Sequence, residues 1–574
     1  MAPAPERCSC VVSASLRSGG DGLRAAVEES RLPGTSAAEP HRDESWGCSG
    51  LLLDRKRGLV LCHGQIFFPF LRQAQQDPNL QPFLLPGAFH PNLQIQIQFP
   101  GAMPRTQPQP RLPLATHHAG AQAPQSESPH LDYSPKCPSL TDGLVKAQSC
   151  SQAEMLMMFP CPEFRDIFQT LFNKSDKWHF YGEDNEEELR ADPLDLAWFA
   201  LLRCPGWVGG DTVVWGETLL YVRSECLMKG QPLFCCASPF ASFCNEIFMN
   251  TFSKGIVSNL AGERNAMILT DARCLPGTEG GGTYIISQDL YYLAGLIVAP
   301  LCWKANEWVG LTLVCSVTCI LEAIGRIMNG FEILGPPSLT ALGSQGLTQL
   351  LGSVALLESN RVWGSGVLVS PRLIVTCRHV LNQAPSVRVK IQSGSNGYLV
   401  LKGRVVFATK KNSAYDVAVV ELEEDHSLIE IPTIASDFKM GEDVCVIGYG
   451  VFGRVCGPSV TAGILSAVVT MEDQPVMLQT TCAVHAGASG GPVFRTGSGE
   501  LLGIVSSNAR NNSRGATYPH LNFSLPITVL HPFLSTYCRT NDATVFEGLN
   551  KENKQLHALW TLQDRTSSPR RSKL

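Results

Sequence analysis

The stretch "GSGVLVSPRLIVTCRHVL" (residues 364–381) contains two short apolar runs, "GSGVLVS" and "RLIVTC", joined at Ser370 and Pro371. Runs of this length that are rich in Val, Ile and Leu and bounded by Gly, Pro and Ser predict short β-strands. Comparable runs follow at regular spacing: "YLVLKGRVVFAT", "DVAVVEL", "EDVCVIGYG" and "LLGIVSS". The pattern predicts an all-β barrel or sandwich with few helices, and a helix is expected only in "NKENKQLHALWTLQDR" (550–565).

Length and charge restrict the function classes. The chain has 574 residues, of which 44% are hydrophobic, and a formal net charge of −5. This length predicts two to four domains, and the lack of basic blocks argues against nucleic acid as a partner. A segment rich in Pro, Gln, Ser and His (100–155) predicts a disordered surface insertion, and "LGPPSLTALGSQGL" (334–347) divides the chain into unequal halves.

The 21 cysteines lie mostly inside apolar runs such as "LVLCHG" and "DVCVIG". This placement predicts free, buried thiols in a reducing compartment. No CxxC pair occurs, so we expect neither a metal nor another cofactor. The N-terminus lacks the basic and apolar regions of a secretory signal.

Two long apolar runs, 291–303 and 308–325, are candidates for membrane helices. Both are rich in β-branched residues and are separated by "KANE", so paired buried strands are the preferred interpretation and no membrane span is expected.

The C-terminus ends in Ser572, Lys573 and Leu574. SKL at this position is the address of the peroxisomal matrix, and it is read by an import receptor. We therefore expect the peroxisome matrix as the location and the import receptor as a partner.

A Gly-rich stretch, "AVHAGASGGPVF" (483–494), places Ser489 in a tight turn before an apolar strand. His379 follows a predicted strand and Asp416 begins another, and the order His, Asp, Ser has gaps of 37 and 73 residues. One of the known triad arrangements has this order. The pattern predicts Ser489 as nucleophile, His379 as general base and Asp416 as the acid that orients it. His485 is interpreted as a subsite residue or as loop filler.

The glycines around Ser489 meet a second requirement of acyl transfer, because backbone amides can point at a developing oxyanion only where side chains do not obstruct them. The amides of Gly487 and Ser489 are the candidates for this oxyanion hole.

The blocks "TCRHV", "YDVAVVEL" and "GASGGPVF" resemble the His, Asp and Ser blocks of the chymotrypsin-like serine proteases, and "LNFSLPI" (521–527) is similar to the closing strand of their Deg/HtrA branch. The resemblance implies an active double β-barrel at 349–540. Ala488 and Val380 depart from the secreted, zymogen-activated members. The resemblance also implies an S1 pocket with Ala483 at its floor and Ser506 and Ser507 on its wall, suited to a small uncharged or thiol P1 side chain.

The first half resembles a second, degenerate copy. "TDARCLPGTEGGGTYII" (270–286) aligns with the block around Ser489 and puts Glu279 in the place of the serine. "GCSGLLLDRKRGLVLCHGQ" (47–65) aligns with the His block, with His63 one place early and Gly64 in the histidine position, and Asp195 keeps an acid. We therefore expect two tandem chymotrypsin-like double β-barrel modules: an inactive module at 1–330 with a Pro-rich insertion at about 70–155, a linker at 331–348, the active module, and a tail at 541–574.

With SKL, the whole chain resembles the peroxisomal processing proteases related to the plant glyoxysomal Deg enzyme. The resemblance implies a serine endopeptidase that removes N-terminal targeting presequences and processes imported matrix precursors, including fatty-acid β-oxidation enzymes. Self-cleavage in the Pro-rich segment is a further expectation. A Deg/HtrA-like chaperone or client-binding protein with incidental proteolysis, and an esterase, stay open as alternatives, and the sequence is compatible with a homo-oligomer.

Overall fold

In a computed structural model of the chain, the described residues are 4–17, 45–72, 81–100, 149–172, 178–180, 193–205, 219–240, 245–304, 307–329, 334, 345–359, 362–393, 397–424, 429–511, 516–550 and 553–560. Strands predominate in both halves. In β4, "LQIQIQF", Ile95 and Ile97 are buried while Gln96 is exposed. This alternation places one face of the strand in a barrel core and the other toward solvent.

The first half contains these strands: β1 (Ser9–Leu16), β2 (Trp46–Asp54), β3 (Leu59–His63), β4 (Leu93–Phe99), β5 (Ser149–Pro160), β6 (Trp178–Phe180), β7 (Trp198–Arg203), β8 (Pro232–Ala237), β9 (Thr251–Ala261), β10 (Met267–Thr270), β11 (Gly282–Ser287), β12 (Leu290–Ala299), β13 (Cys302–Lys304), β14 (Glu307–Trp308) and β15 (Thr312–Ser316). Its α-helices are α1 (Pro162–Leu171), α2 (Asn245–Phe248) and α3 (Val317–Ile327).

The second half contains these strands: β16 (Val354–Ser359), β17 (Val362–Leu368), β18 (Leu373–Thr376), β19 (Ser386–Ser393), β20 (Gly397–Ala408), β21 (Ala418–Leu422), β22 (Asp443–Gly448), β23 (Ser459–Met471), β24 (Gln474–Thr480), β25 (Pro492–Arg495), β26 (Leu501–Asn511) and β27 (Ala516–Pro526). Its α-helices are α4 (Gln345–Gly352), α5 (Arg378–Leu381), α6 (Gly453–Cys456), α7 (Ile527–Thr540) and α8 (Lys554–Trp560).

The strands form four closed barrels of six strands each. The orders are β1-β2-β3-β7-β5-β4 and β10-β15-β12-β11-β8-β9 in the first half, and β16-β17-β18-β21-β20-β19 and β22-β23-β24-β27-β26-β25 in the second. Read around each ring, the two halves have the same order, and a helix, α3 or α7, directly follows the last barrel strand of each. The prediction of two tandem double β-barrels is confirmed.

The two apolar runs contribute the barrel strands β12 and β15, and their ends contribute to a three-stranded sheet of order β14-β13-β6 and to a helix. Run 291–303 forms β12 and part of β13, as expected, but run 308–325 forms β15 only up to Ser316 and continues as α3. Val317, Ile320 and Ile324 share one face of this helix and are fully buried, so its apolar residues fit helical spacing. Among the described residues, no helix is both long enough and apolar enough to cross a membrane.

Two of the predicted segment boundaries, those of the Pro-rich insertion and of the C-terminal tail, differ from the structure. Within the segment assigned to the Pro-rich insertion, β4 and the start of β5 are barrel strands that pair with each other, while 73–80 and 101–148 lie outside the described residues. The predicted tail begins too early, because Phe546, Leu549 and Leu556 are buried in the core of the second module. The stretch expected to be helical contains α8, whereas 561–574, with the SKL tripeptide, lies outside the described residues.

Candidate active site

His379 lies on α5, one short turn after strand β18. Val380 and Leu381 point into the barrel core and are buried, which leaves the imidazole on the outer side of the turn with 49% of its side chain exposed. The apolar anchors therefore fix the backbone of the turn, while the ring of His379 stays accessible from the cleft.

Asp416 lies at the end of a loop that Thr409 holds in place. The Thr409 hydroxyl donates to the carbonyl of Tyr415 at 2.8 Å and accepts from the amide of Val417 at 3.2 Å, so both neighbours of Asp416 are fixed. This local network directs the carboxylate toward α5.

The carboxylate of Asp416 contacts His379 at two points. Oδ2 lies 2.5 Å from His379 Nδ1, and Oδ1 accepts from the His379 backbone amide at 3.2 Å. Burial would raise the pKa of Asp416, but the hydrogen bond from His379 and the nearby charges of His379 and Arg378 outweigh it and lower the pKa below its ordinary value. An ionised Asp416 holds the proton on Nδ1 and leaves Nε2 as the accepting nitrogen.

Ser489 lies in a turn that two glycines make possible. Gly487 and Gly490 have φ of +91° and +83°. A Cβ at Gly490 would lie 2.1 Å from the carbonyl oxygen of Ser365, and one at Gly487 would lie 2.5 Å from that of Tyr449. Only glycine fits both the conformation and the space.

Hydrogen bonds fix the orientation of this turn. Ala488 N–H donates to the His485 carbonyl at 3.1 Å, and Gly490 N–H donates to the Val505 carbonyl at 2.8 Å. The amides of Gly487 and Ser489 have no acceptor among the described residues. These two amides, selected from the sequence as an oxyanion hole, are thus free to bind an external oxygen.

A cavity of about 500 Å³ brings the predicted residues together. Its lining is His379, Lys411, Ser413, Ala414, Asp416, Ser489, Ser506, Ser507, His557 and Trp560. The sequence did not indicate His557 and Trp560, which α8 brings to the cleft from the far end of the chain. Their only sequence signal is the helical pattern of that segment, which does not say where the helix packs.

The structure places Ser506 and Ser507 on the cavity wall but not Ala483. Ala483 is buried, its carbonyl accepts from Thr461 Oγ1 at 2.9 Å, and it does not contribute to the cavity lining. Nearby, Asn508 Nδ2 donates to the Val484 carbonyl at 2.6 Å and links β26 to the loop that contains Ala483. The predicted floor position of Ala483 is therefore not part of the observed cavity.

His485 supports the turn and does not line the cavity. Its side chain is buried, and its Nδ1 accepts from the amide of Val451 at 3.1 Å. Burial lowers the pKa of His485 to about 4, which keeps the ring neutral. Of the two interpretations of His485, the structure favours the residue that fills and holds the loop over the subsite residue.

Cys377, His379 and Asp416 form the one group in the described ranges with enough ligand atoms, all within 4.8 Å, to hold a metal ion. Burial raises the pKa of the Cys377 thiol well above its ordinary value, and its Sγ contacts the Val505 carbonyl at 3.2 Å. A protonated thiol is a poor ligand, and Asp416 already engages His379. The cysteines whose side chains the structure describes are free thiols, and most are buried.

The first half contains the same turn around Glu279. Gly277 and Gly280 have φ of +88° and +81°, and Gly280 N–H donates to the Ile297 carbonyl at 2.8 Å, as Gly490 does to Val505. The Ser49 hydroxyl donates to the Gly277 carbonyl at 2.8 Å, and Ser365 bonds to Gly487 in the same way at 2.8 Å. Glu279 therefore occupies the position of Ser489.

The strand registers correct the other two equivalences. Gly50 pairs with Cys62 and Gly366 with Thr376, so Gln65 corresponds to His379 and His63 lies two places early. Cys62 pairs with Ala200 and Thr376 with Ala418, so Trp198, not Asp195, corresponds to Asp416. A bulge between Leu52 and Asp54 adds a residue to β2 and hides this offset in the sequence.

The two ionisable side chains of the first copy, Glu279 and His63, have pKa values that burial shifts away from their ordinary values. Burial raises the pKa of Glu279 to about 7, although the backbone amides of Glu279 and Gly277 oppose the shift. His63 is fully buried, its Nε2 lies 3.0 Å from the Leu196 carbonyl, and burial lowers its pKa to about 4. The first copy thus keeps the turn without a serine, an accessible imidazole or an orienting carboxylate.

Comparison with known proteins agrees with this geometry. The trypsin-like peptidase domain family matches residues 364–504, which include the three cleft residues His379, Asp416 and Ser489. The chain is 43% identical over 97% of its length to the peroxisomal leader peptide-processing protease of Mus musculus and 42% identical over 97% to that of Homo sapiens, and each match covers 100% of the relative. A DegP-like probable periplasmic serine endoprotease of Halomonas elongata is 34% identical over 30% of the chain and 34% of its own length. The chain is therefore a serine endopeptidase and belongs to the family of peroxisomal leader peptide-processing proteases.

Proposed function

We propose that Ser489, His379 and Asp416 form the catalytic triad of this endopeptidase. The observation that supports this most strongly is the 2.5 Å contact between His379 Nδ1 and Asp416 Oδ2 in the cavity that Ser489 also lines. His379 Nε2 accepts the proton of Ser489 Oγ as Oγ attacks the scissile carbonyl carbon. The same nitrogen then delivers that proton to the leaving amine, and Asp416 stabilises the imidazolium.

The amides of Gly487 and Ser489 stabilise the oxyanion of the tetrahedral intermediate. Both lack an acceptor among the described residues, and the glycine at 487 allows its peptide to face the cleft. Because these donors belong to a fixed turn, they need no reorganisation when charge develops on the substrate oxygen.

In a cell, the enzyme removes N-terminal targeting presequences from proteins imported into the peroxisome matrix and processes other matrix precursors, including fatty-acid β-oxidation enzymes. The names of the two relatives that match along the whole chain support the leader-peptide role, and the SKL terminus supports delivery by an import receptor. Two small uncharged side chains, Ser506 and Ser507, line the cavity wall, so we expect cleavage after a small uncharged or thiol P1 side chain and not after Lys or Arg.

The first module is a pseudoprotease. Its Glu279 carboxyl has neither the nucleophilicity of an activated serine nor a base beside it, because Gln65 and Trp198 occupy the other two positions. The alternative that the chain acts mainly as a client-binding protein rests on this inactive module.

N-terminal profiling by mass spectrometry of peroxisomes that contain wild-type or Ser489→Ala protein tests the proposal. Presequences should persist only with the variant. Normal mature N-termini in both samples would reject a processing role, and a variant that supports every cellular role would favour the client-binding alternative.

Self-cleavage in the Pro-rich segment is tested separately. That segment lies largely outside the described residues. Purified wild-type protein should give fragments that the Ser489→Ala protein does not, and identical fragment patterns would reject autolysis.

A further inference from the structure

Phe452 lies in the loop that follows β22 and is in contact with the first module. Its ring stacks on Trp178 with centroids 5.3 Å apart and planes inclined by 8°, and Phe172 packs against it edge-on at 5.5 Å. Both partners belong to the first module, and Phe452 is only 1% exposed. An aromatic ring of the second module is thus buried by its neighbour.

The segment that follows Phe452 is also bound by buried polar groups of the first module. Lys229 Nζ donates to the carbonyls of Cys456 and Pro458 at 2.9 and 2.8 Å. Asp271 Oδ2 accepts from the amide of Ala462 at 2.6 Å. Side chains of the first module thus hydrogen-bond backbone groups of the second module, and these bonds fix the position of one module against the other.

The segment that precedes Phe452 supports the turn of Ser489. Val451 N–H donates to His485 Nδ1 at 3.1 Å, and the Phe452 ring lies edge-on to the same imidazole at 6.5 Å. The His485 carbonyl in turn accepts from the amide of Ala488, which directly precedes Ser489.

A second connection ends on the Gly487–Ala488 peptide, which lies between the two proposed oxyanion donors. Tyr449 N–H donates to Ser365 Oγ at 2.8 Å, and that hydroxyl donates to the Gly487 carbonyl at 2.8 Å. Residues 449–452 are therefore connected by two independent paths to the Gly487–Ala488 peptide, one through its N–H and one through its carbonyl.

The first module itself lacks one of these paths. Ser238 N–H and Ser49 reproduce the serine connection. The residue that corresponds to His485, however, is Leu275, which is 45% exposed. The imidazole link is found in the copy that has Ser489 and not in the copy that has Glu279.

We propose that the first module is a built-in positioning domain for the peptidase: Trp178 holds Phe452, Phe452 and Val451 hold His485, and His485 fixes the Gly487–Ala488 peptide, which lies between the two oxyanion donors. The inference rests on the proposed roles of Ser489 and its turn. Trp178 and His485 are positioning residues, since neither lines the cavity.

The test is steady-state peptide hydrolysis and the rate of fluorophosphonate labelling with the full chain carrying Trp178→Ala. A shift of the oxyanion peptides by about 1 Å should lower kcat and the labelling rate by roughly 10- to 100-fold, because transition-state stabilisation depends on exact placement of the donors. KM should change by less than about threefold, since substrate contacts in the cavity are intact.

Two further substitutions control for general destabilisation. Trp178→Phe keeps a ring against Phe452 and should restore most of kcat. Trp46→Ala removes a ring that packs on the core of the first barrel and should leave kcat unchanged. If Trp178→Ala does not fold, Lys229→Met replaces it, because methionine keeps the buried stem and removes both bonds to the loop.

The outcomes separate the two proposals. A folded Trp178→Ala or Lys229→Met protein with wild-type kcat and labelling rate would overturn the positioning role while leaving the triad untouched. An equal loss of kcat in Trp46→Ala would also overturn it. Labelling that survives Ser489→Ala would overturn the proposed function instead.

Discussion

The turns at 275–281 and 485–491 are two copies of one backbone with different chemistry. Both have glycines with positive φ at the same two positions, a serine hydroxyl bound to the first glycine's carbonyl, and an amide bonded to the next strand. They differ at four positions of the turn, of which Glu279 or Ser489 carries the chemistry, and in the two residues that face it. What is common to both turns is needed for folding, and what differs is the chemistry of the cleft.

The largest expected effect tests the partner of His379. Asp416→Asn should keep the loop at Thr409 but favour the wrong imidazole tautomer, and kcat should fall by about 10⁴-fold, as in triads of this type. The loss should be greatest at neutral pH, where the base must be unprotonated, and a pH profile of kcat/KM measures it. An activity within tenfold of wild type would contradict a triad role for Asp416.

The two turns should respond alike in stability and differently in activity. Gly490→Ala and Gly280→Ala each place a Cβ against a carbonyl oxygen, at 2.1 and 2.3 Å, in a conformation with positive φ. Each should lower the free energy of unfolding by about 2–4 kcal/mol, from backbone strain and overpacking together.

Denaturant unfolding and peptide hydrolysis check this pair. Only Gly490→Ala should also lower kcat per folded molecule. If fully folded Gly280→Ala protein lost as much kcat as Gly490→Ala protein does, the first turn would take part in the chemistry.

The smallest effect concerns Glu279 and pH. Burial raises its pKa to about 7, so the folded state binds its proton more tightly than the unfolded state does. Stability from this residue is therefore full below the unfolded value and is lost as pH rises through about 7. Relative to Glu279→Gln, the wild type should lose on the order of 2 kcal/mol over that interval.

Unfolding curves of both proteins at pH 5 and pH 8 measure the difference. His63 has the opposite effect: because its pKa is lowered in the folded state, it reduces the free energy of unfolding as pH falls. The comparison must therefore use the matched Gln variant, which keeps His63. Identical pH dependence in the two proteins would show that Glu279 is not desolvated.

Much of the fold was predictable from local patterns. The runs around 364–381 alternate or stay apolar over strand lengths, and their Gly, Pro and Ser boundaries mark the turns. The His, Asp and Ser blocks were predictable because each places its chemical residue beside a short apolar strand: His379 follows β18, Asp416 precedes β21 and Ser489 precedes β25. The structure brings these three residues to one cavity.

Other features depend on contacts that local patterns do not contain. Gly64 was assigned in place of Gln65 because a bulge adds a residue to β2, and Asp195 in place of Trp198 because the acid block was aligned three residues out of register in β7; apolar strands look alike after such shifts. The sequence of α3 predicts a strand because most of the buried residues of this helix are β-branched or thiol residues. His557 and Trp560 reach the cleft only through the packing of α8.

The most direct test of the difference between the two turns is active-site labelling and peptide hydrolysis with Ser489→Ala and Glu279→Ala side by side. Ser489→Ala should abolish fluorophosphonate labelling and lower kcat by roughly 10⁴- to 10⁶-fold, as loss of a serine nucleophile does in related chemistry. Glu279→Ala should retain labelling and kcat within about twofold of wild type, since its turn has no base or orienting acid. Labelling that persists in Ser489→Ala, or activity that disappears with Glu279→Ala in a folded protein, would contradict the assignment of the chemistry to the second turn.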